Sequence, residues 1–258
     1  LPKFSANLSF LYPDLPFLDR FGAAAKDGFK AVEYVGPYDY PPDQIADLLG
    51  QHGLVQALFN LPAGNWAAGE RGIACHPGRV DEFRAGVDTA IRYGRALGCT
   101  RINCLAGIVP PGIDRQILHW TLVENLKYAA PLLAEAGIKL LMEPINRRDM
   151  PDFFVSTTDH AEHIMQAVSS SNLFLQYDFY HMQVMQGDLV PTYERLRDVI
   201  AHVQIADTPG RNEPGTGEIN YGFVLAELDR LGYDGWVGCE YKPKAGTSEG
   251  LDWMAPYR

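Results

Sequence analysis

Eight short runs rich in apolar, β-branched and aromatic residues recur along the chain, and their number and spacing constrain its fold more than any other feature. They are FSANLSF from Phe4, AVEYV from Ala31, LVQALFN from Leu54, RINCLAG from Arg101, IKLLMEP from Ile138, LFLQYD from Leu173, HVQIAD from His202 and GWVGCE from Gly235. Between them lie stretches with apolar residues at helical spacing, such as GVDTAIRYGRALG from Gly86 and LVENLKYAAPLLAEAG from Leu122, the second closed by Gly137. Eight strand-then-helix units predict an α/β fold, a (β/α)8 TIM barrel, in a single domain over residues 1–258. The rival, an open doubly wound sheet, requires a glycine-rich phosphate turn after its first strand, and NLSFLYPDLPF contains no glycine. No nucleotide cofactor is expected.

With 47% hydrophobic residues in 258, the chain can bury one sizeable core. The formal charge of −10 argues against nucleic acid as a partner, because phosphate neutralisation needs clustered Lys and Arg. No apolar run reaches 18 residues, and LPKFSANLSF lacks the basic region and cleavage site of a signal peptide, so neither a membrane nor export is expected. Cys75, Cys99, Cys104 and Cys239 form no C-x-x-C pair, which fits a reducing cytoplasm.

In such a barrel the chemistry sits at the C-terminal ends of the strands. Four consecutive strands end in polar groups there: Glu143 in the fifth, Asp178 in the sixth, Gln204 in the seventh and Glu240 in the eighth. Each alone is explained equally well as a strand cap. Three carboxylates converging at an apolar mouth, however, repel one another and lose hydration unless a cation sits among them. With Gln204 presenting its carbonyl, all four are oxygen donors, which favours a hard divalent metal, Mg²⁺ or Mn²⁺, over zinc. Alternation places Gln176 on the face of Asp178, His202 on that of Gln204, and Lys242 on that of Glu240 if the strand runs on. His202 reads as a hydrogen-bonded barrel histidine, and DHAEH from Asp159 as part of a helix.

The blocks ANLSFLY, NLPAGNWAAGERGIACHPGR, MEPINRRD, QYDFYHMQ, HVQIADTPGRNEPGTGEINY and GCEYKP span nearly the whole chain, and together they resemble the hydroxypyruvate isomerase family. EPIN followed by a strand-end Asp is shared by the wider xylose-isomerase-like barrels, whereas the third-strand and seventh-strand loops are narrower signatures. The resemblance implies interconversion of hydroxypyruvate and tartronate semialdehyde (2-hydroxy-3-oxopropanoate), a reaction of glyoxylate metabolism. It implies Glu143 and Glu240 as the acid/base pair, and Glu143, Asp178, Gln204 and Glu240 as metal ligands. Related ketose epimerases carry a histidine where Gln204 stands, which implies weaker metal binding here. The alternatives are a 2-oxotetronate isomerase or ketose 3-epimerase on the same barrel, or a non-catalytic small-acid binding protein. Endonuclease-like barrels are histidine-rich at the rim and need a basic face, and this sequence has neither.

An isomerisation of this kind moves a proton between neighbouring carbons through an enediolate, with two carboxylates as donor and acceptor and a cation for the oxyanion. A small hydroxy-oxo acid substrate also needs a positive group for its carboxylate. The candidates are Lys242, aimed inward by alternation, Arg211 in TPGRNEP and Arg71 in AGERG, with His181 on the loop after Asp178 as a further substrate-binding residue. NWAAGERG, with Trp66, reads either as a lid over the mouth or as a contact with a neighbouring subunit in a homo-oligomer.

Overall fold

Each apolar run becomes a parallel strand, and the strands pair in sequence order until the eighth closes on the first. The computed structural model describes residues 1–257, and the strands β1 (Lys3–Asn7), β2 (Ala31–Glu33), β3 (Val55–Asn60), β4 (Arg101–Cys104), β5 (Lys139–Met142), β6 (Leu173–Asp178), β7 (Ile200–Ile205) and β8 (Trp236–Cys239) form one closed barrel. The expected (β/α)8 architecture is thus present. Helices α1 (Asp19–Lys26), α2 (Pro42–His52), α3 (Val80–Leu97), α4 (Arg115–Glu135) and α5 (Thr158–Val168) follow the first five strands. The sixth strand is followed by two helices, α6 (Phe179–Met185) and α7 (Leu189–Leu196), and the seventh by α8 (Tyr221–Arg230). After β8 a 3₁₀ segment, Ser248–Tyr257, occupies the place of the helix in the eighth strand–helix unit.

The helix boundaries follow local chemistry. Asp114, Thr157 and Asn220 cap α4, α5 and α8 by accepting backbone N–H bonds with their side chains. Gly53 and Gly98 end α2 and α3 in the left-handed conformation that glycine adopts without a Cβ clash.

Period-two alternation divides the strand residues into two sets. Outward-facing Phe4, Val32, Phe59, Ile102, Leu140, Met142, Leu175, Val203 and Val237 join the main core beneath the helices. A separate small cluster of Leu58, Leu141 and Ala201, with Phe174 packed on it, fills the lower lumen. Above that plug the inward residues turn polar, and Ser5, Asn7, Glu33, Asn60, Asn103, Gln176, Asp178, His202 and Gln204 are all buried. Each must therefore find a partner within the barrel or in whatever binds there. Among the described residues, no helix is long and apolar enough to cross a membrane.

Candidate active site

The upper lumen is organised in two tiers. The lower tier is built around Glu33, at the end of β2. Ser5 Oγ donates to its Oε2 (2.7 Å), His202 Nε2 lies 2.8 Å from the same oxygen, and Gln204 Nε2 donates to Oε1 (2.7 Å). Asn7 Nδ2 also reaches Oε1 at 3.2 Å. Burial alone would raise the Glu33 carboxyl, but the charge and hydrogen bond of His202 and the bonds from Gln204 and Ser5 hold it below the ordinary carboxylate range. Gly238 makes room for it, since a Cβ there would run into the Glu33 carboxylate. Glu33 is therefore an ionised anchor whose acceptors are already engaged.

The upper tier is frustrated by comparison. Glu143 and Glu240 lie one residue beyond β5 and β8, and Asp178 ends β6. With His181 in the first turn of α6, they bring one ligand atom each to within 4.8 Å of one another. Asn103 Nδ2 donates to Glu143 Oε2 (3.2 Å) and Asn7 Nδ2 to Glu240 Oε1 (3.2 Å), but Glu143 Oε1 and Asp178 Oδ2 are buried without a hydrogen-bond partner. Burial, with repulsion from Glu240 and Asp178, pushes the Glu143 carboxyl well above its usual range. Burial likewise raises Asp178 to about 6, against the pull of Arg211 and backbone N–H bonds. Glu240 is raised to about 8, again chiefly by burial and against the neighbouring Arg211.

These orphaned carboxylate oxygens fit a divalent cation, since a positive charge among them would offset their mutual repulsion and lower their raised pKa values. Glu143, Asp178 and Glu240 are the groups that would hold it. Without metal, the raised carboxyls keep protons that the unfolded chain has already released, so the native state binds more protons over this range. Their contribution is complete below the ordinary carboxyl values of 3.8 and 4.5 and fades as pH rises through about 6 for Asp178 and about 8 for Glu240. The metal-free protein should lose thermal stability from pH 5 to pH 8, and Mg²⁺ or Mn²⁺ should raise Tm more at pH 8 than at pH 5. Equal metal-induced shifts in a melting series at the two pH values would contradict this.

His181 is oriented by its neighbours. The Asp149 backbone N–H donates to Asn146 Oδ1 (2.7 Å), which fixes that amide so that its Nδ2 faces His181 Nδ1 at 2.7 Å. Nδ1 is then an acceptor, and the ring proton sits on Nε2, 3.5 Å from Asp178 Oδ2 and 3.7 Å from Glu143 Oε1. Burial, with Arg211 nearby, keeps the imidazole neutral by depressing its pKa far below the usual value. His181 lies in a helix rather than on a loop, and presents an N–H to the pocket.

Gln204 is placed differently from the expectation of a carbonyl turned to metal. Its Oε1 accepts from Gln176 Nε2 (2.7 Å) while its amide serves Glu33, so it belongs to the lower tier. The cations are also redistributed. β8 stops at Cys239, so alternation does not continue to Lys242, which is exposed and does not line the pocket. Arg71 instead stacks on Trp66, 4.0 Å from the ring centroid. Arg211 is the cation at the mouth: buried, it donates from Nη2 to Glu240 Oε2 (2.9 Å), and Nη1 lies 3.5 Å from Asp149. Its Nε has no partner. The guanidinium sits against the rings of Phe10 and Tyr180. The pocket above these groups is walled on its apolar side by Phe10, Trp66, Leu105, Ile145 and Met150.

Residues 21–257 match the family described as xylose isomerase-like TIM barrel. The chain is 53% identical over 256 residues to a hydroxypyruvate isomerase of Escherichia coli (strain K12), covering 99% of each chain. The chain belongs to the hydroxypyruvate isomerase family of xylose isomerase-like TIM barrels. This hydroxypyruvate isomerase family member is also 47% identical to a 2-oxo-tetronate isomerase of Cupriavidus necator, over 100% of this chain and 99% of that one. A crystal structure described as AP endonuclease, family 2, from Brucella melitensis superimposes with a TM-score of 0.97 at 47% identity, covering both chains fully.

Asn7, Glu33, Asn60 and Asn103, on β1–β4, also belong to the upper lumen of this hydroxypyruvate isomerase family chain and are not among the site residues expected from the sequence. The signal for them is present, since the runs SAN, AVE, LFN and INC all carry a polar residue at or beside the strand's end. All eight strands therefore contribute to the rim.

Proposed function

We propose that the protein is an aldose–ketose type isomerase that interconverts hydroxypyruvate and tartronate semialdehyde. The observation that carries this reading is the pairing of Glu143 with Glu240. A buried carboxylate, Glu143, and a part-buried one, Glu240, both with pKa values raised by their surroundings, reach one pocket from strands three apart in the ring, with Arg211 beside them. A carboxylate poised near neutrality is suited to both taking and giving a proton.

The Arg211 guanidinium, which lines the pocket, holds the substrate carboxylate by a charge-assisted bond, while Phe10 and Tyr180 confine its plane. One of the two glutamates takes a proton from C3 of hydroxypyruvate, leaving an enediolate, and the other delivers a proton to C2. The hydroxyl proton must pass from O3 to O2 in the same event. His181 Nε2–H, held in that tautomer by Asn146, is the group positioned to serve those oxygens. The divalent metal, Mg²⁺ or Mn²⁺ on the chemistry of the oxygen donors, supplies positive charge to the developing oxyanion when bound. The apolar wall of Trp66, Leu105, Ile145 and Met150 keeps bulk water from the enediolate.

A 2-oxotetronate substrate would undergo the same proton transfers, and a substrate panel separates the readings. The purified protein is incubated with hydroxypyruvate, 2-oxotetronate and abasic-site DNA in turn. Highest kcat/KM on hydroxypyruvate, read by coupling to a reductase for tartronate semialdehyde, is the expected result. Preference for 2-oxotetronate, or strand cleavage of the DNA, would displace it.

A further inference from the structure

The segment joining β7 to α8 carries Arg211 to the mouth, and one carboxylate outside the pocket holds that segment in shape. Asp207, 1% exposed, accepts four backbone N–H bonds: from Thr208 (2.9 Å) and Ile219 (3.0 Å) on Oδ1, and from Gly215 and Gly217 (2.9 Å each) on Oδ2. Gly217 has no alternative, since a Cβ there would meet the Thr208 carbonyl and the Asp207 side chain. The two ends and the middle of the loop are thus gathered on a single side chain. A second set of bonds ties the result to the strand-8 side: Asp207 N–H to Asn212 O (2.8 Å), Asn212 Nδ2 to Lys242 O (2.8 Å) and Lys242 N–H to Arg211 O (2.7 Å). Between these clips Arg211 is held at φ 55°, a left-handed conformation that a non-glycine residue keeps only where its surroundings impose it.

We infer that Asp207 is a positioning residue for substrate binding, acting through Arg211: its carboxylate winds the 208–219 loop so that the Arg211 guanidinium enters the mouth. Asp207 itself is absent from the pocket lining. The kinetic side of the inference rests on the reading of Arg211 as the cation for the substrate carboxylate, but the geometric side does not. Asp207→Asn keeps the size of the side chain while replacing one acceptor oxygen by an amide that cannot accept, so two of the four N–H groups lose their partner.

The test follows Arg211 directly. Wild type and Asp207→Asn are treated with phenylglyoxal, and modification of each arginine is timed by peptide mass spectrometry. Arg20, whose guanidinium is held by the carbonyls of Leu8 and Leu15 after β1, serves as the internal control. Labelling of Arg211 should rise on the order of tenfold in the variant, with Arg20 unchanged. Steady-state kinetics with hydroxypyruvate should show KM raised about tenfold and kcat changed less than about threefold. In an Arg211→Lys background the same Asp207→Asn change should add less than about twofold to KM. Asn212→Ala loosens the same loop without disturbing the buried carboxylate, and provides the measurement if Asp207→Asn does not fold. Arg211 labelling that stays at the wild-type rate, or rises only in step with Arg20, would overturn the inference, as would full additivity with Arg211→Lys. A wild type inert on hydroxypyruvate but with selective Arg211 exposure in the variant would overturn the proposed substrate and leave the positioning role intact.

Discussion

Glu143→Gln and Glu240→Gln should each lower hydroxypyruvate turnover by on the order of 100-fold or more, the scale of a positioned acid–base group. The substitution is nearly isosteric, so the loss reports chemistry rather than packing. An amide has no proton of suitable acidity to return to carbon and no basic oxygen to remove one. Stability should move the other way or not at all. Both carboxyls are raised by burial, and Glu143 also by Glu240 and Asp178, so replacing either with a neutral group relieves repulsion in the metal-free protein. A pair of variants that are well folded, with unchanged or raised Tm, and deficient in turnover is the expected outcome of melting and steady-state assays. Turnover within a few fold of wild type in either variant would remove that residue from the acid–base pair.

Removal of divalent metal should produce a loss of comparable size. Glu143 Oε1 and Asp178 Oδ2 have no hydrogen-bond partner, and burial raises both carboxyls above their ordinary range, which favours their protonated forms. A glutamate that already carries a proton cannot act as the base. Prolonged chelation should therefore reduce kcat by about 100-fold or more, with recovery on adding Mn²⁺ or Mg²⁺. Asp178→Asn should weaken that recovery, shifting the metal concentration for half-maximal activity upward by about tenfold or more. Full activity after exhaustive chelation, verified by elemental analysis, would leave the carboxylate cluster as a proton-sharing network without metal.

The barrel was legible because alternating β-rich and amphipathic runs leave little freedom in how eight such units can bury their apolar faces. Glu143, Asp178 and Glu240 could be found because charge at the end of a buried strand demands an explanation. Where β8 stops is not written in the alternation, which runs on to Lys242, whereas the chain leaves the strand at Cys239 and Lys242 turns to solvent. Nor could the sequence rank Arg211 above other loop arginines, because its burial depends on a carboxylate-wound loop whose bonds are nearly all to backbone N–H groups. Gln204 illustrates a third limit. Its inward direction follows from strand period, but its partners are fixed by Glu33 and Gln176 on other strands, and only the closed barrel brings those together.

The central claim is that two different glutamates handle the carbon-bound proton, one removing it and the other delivering it. Run in D₂O with hydroxypyruvate, and with tartronate semialdehyde trapped as glycerate by an excess of reductase, the reaction tests this directly. A proton delivered by a second carboxylate equilibrated with solvent leaves deuterium at C2 of glycerate in nearly every molecule. Retention of the substrate's own hydrogen at C2, followed by mass spectrometry with substrate deuterated at C3 and run in H₂O, would contradict the two-glutamate account.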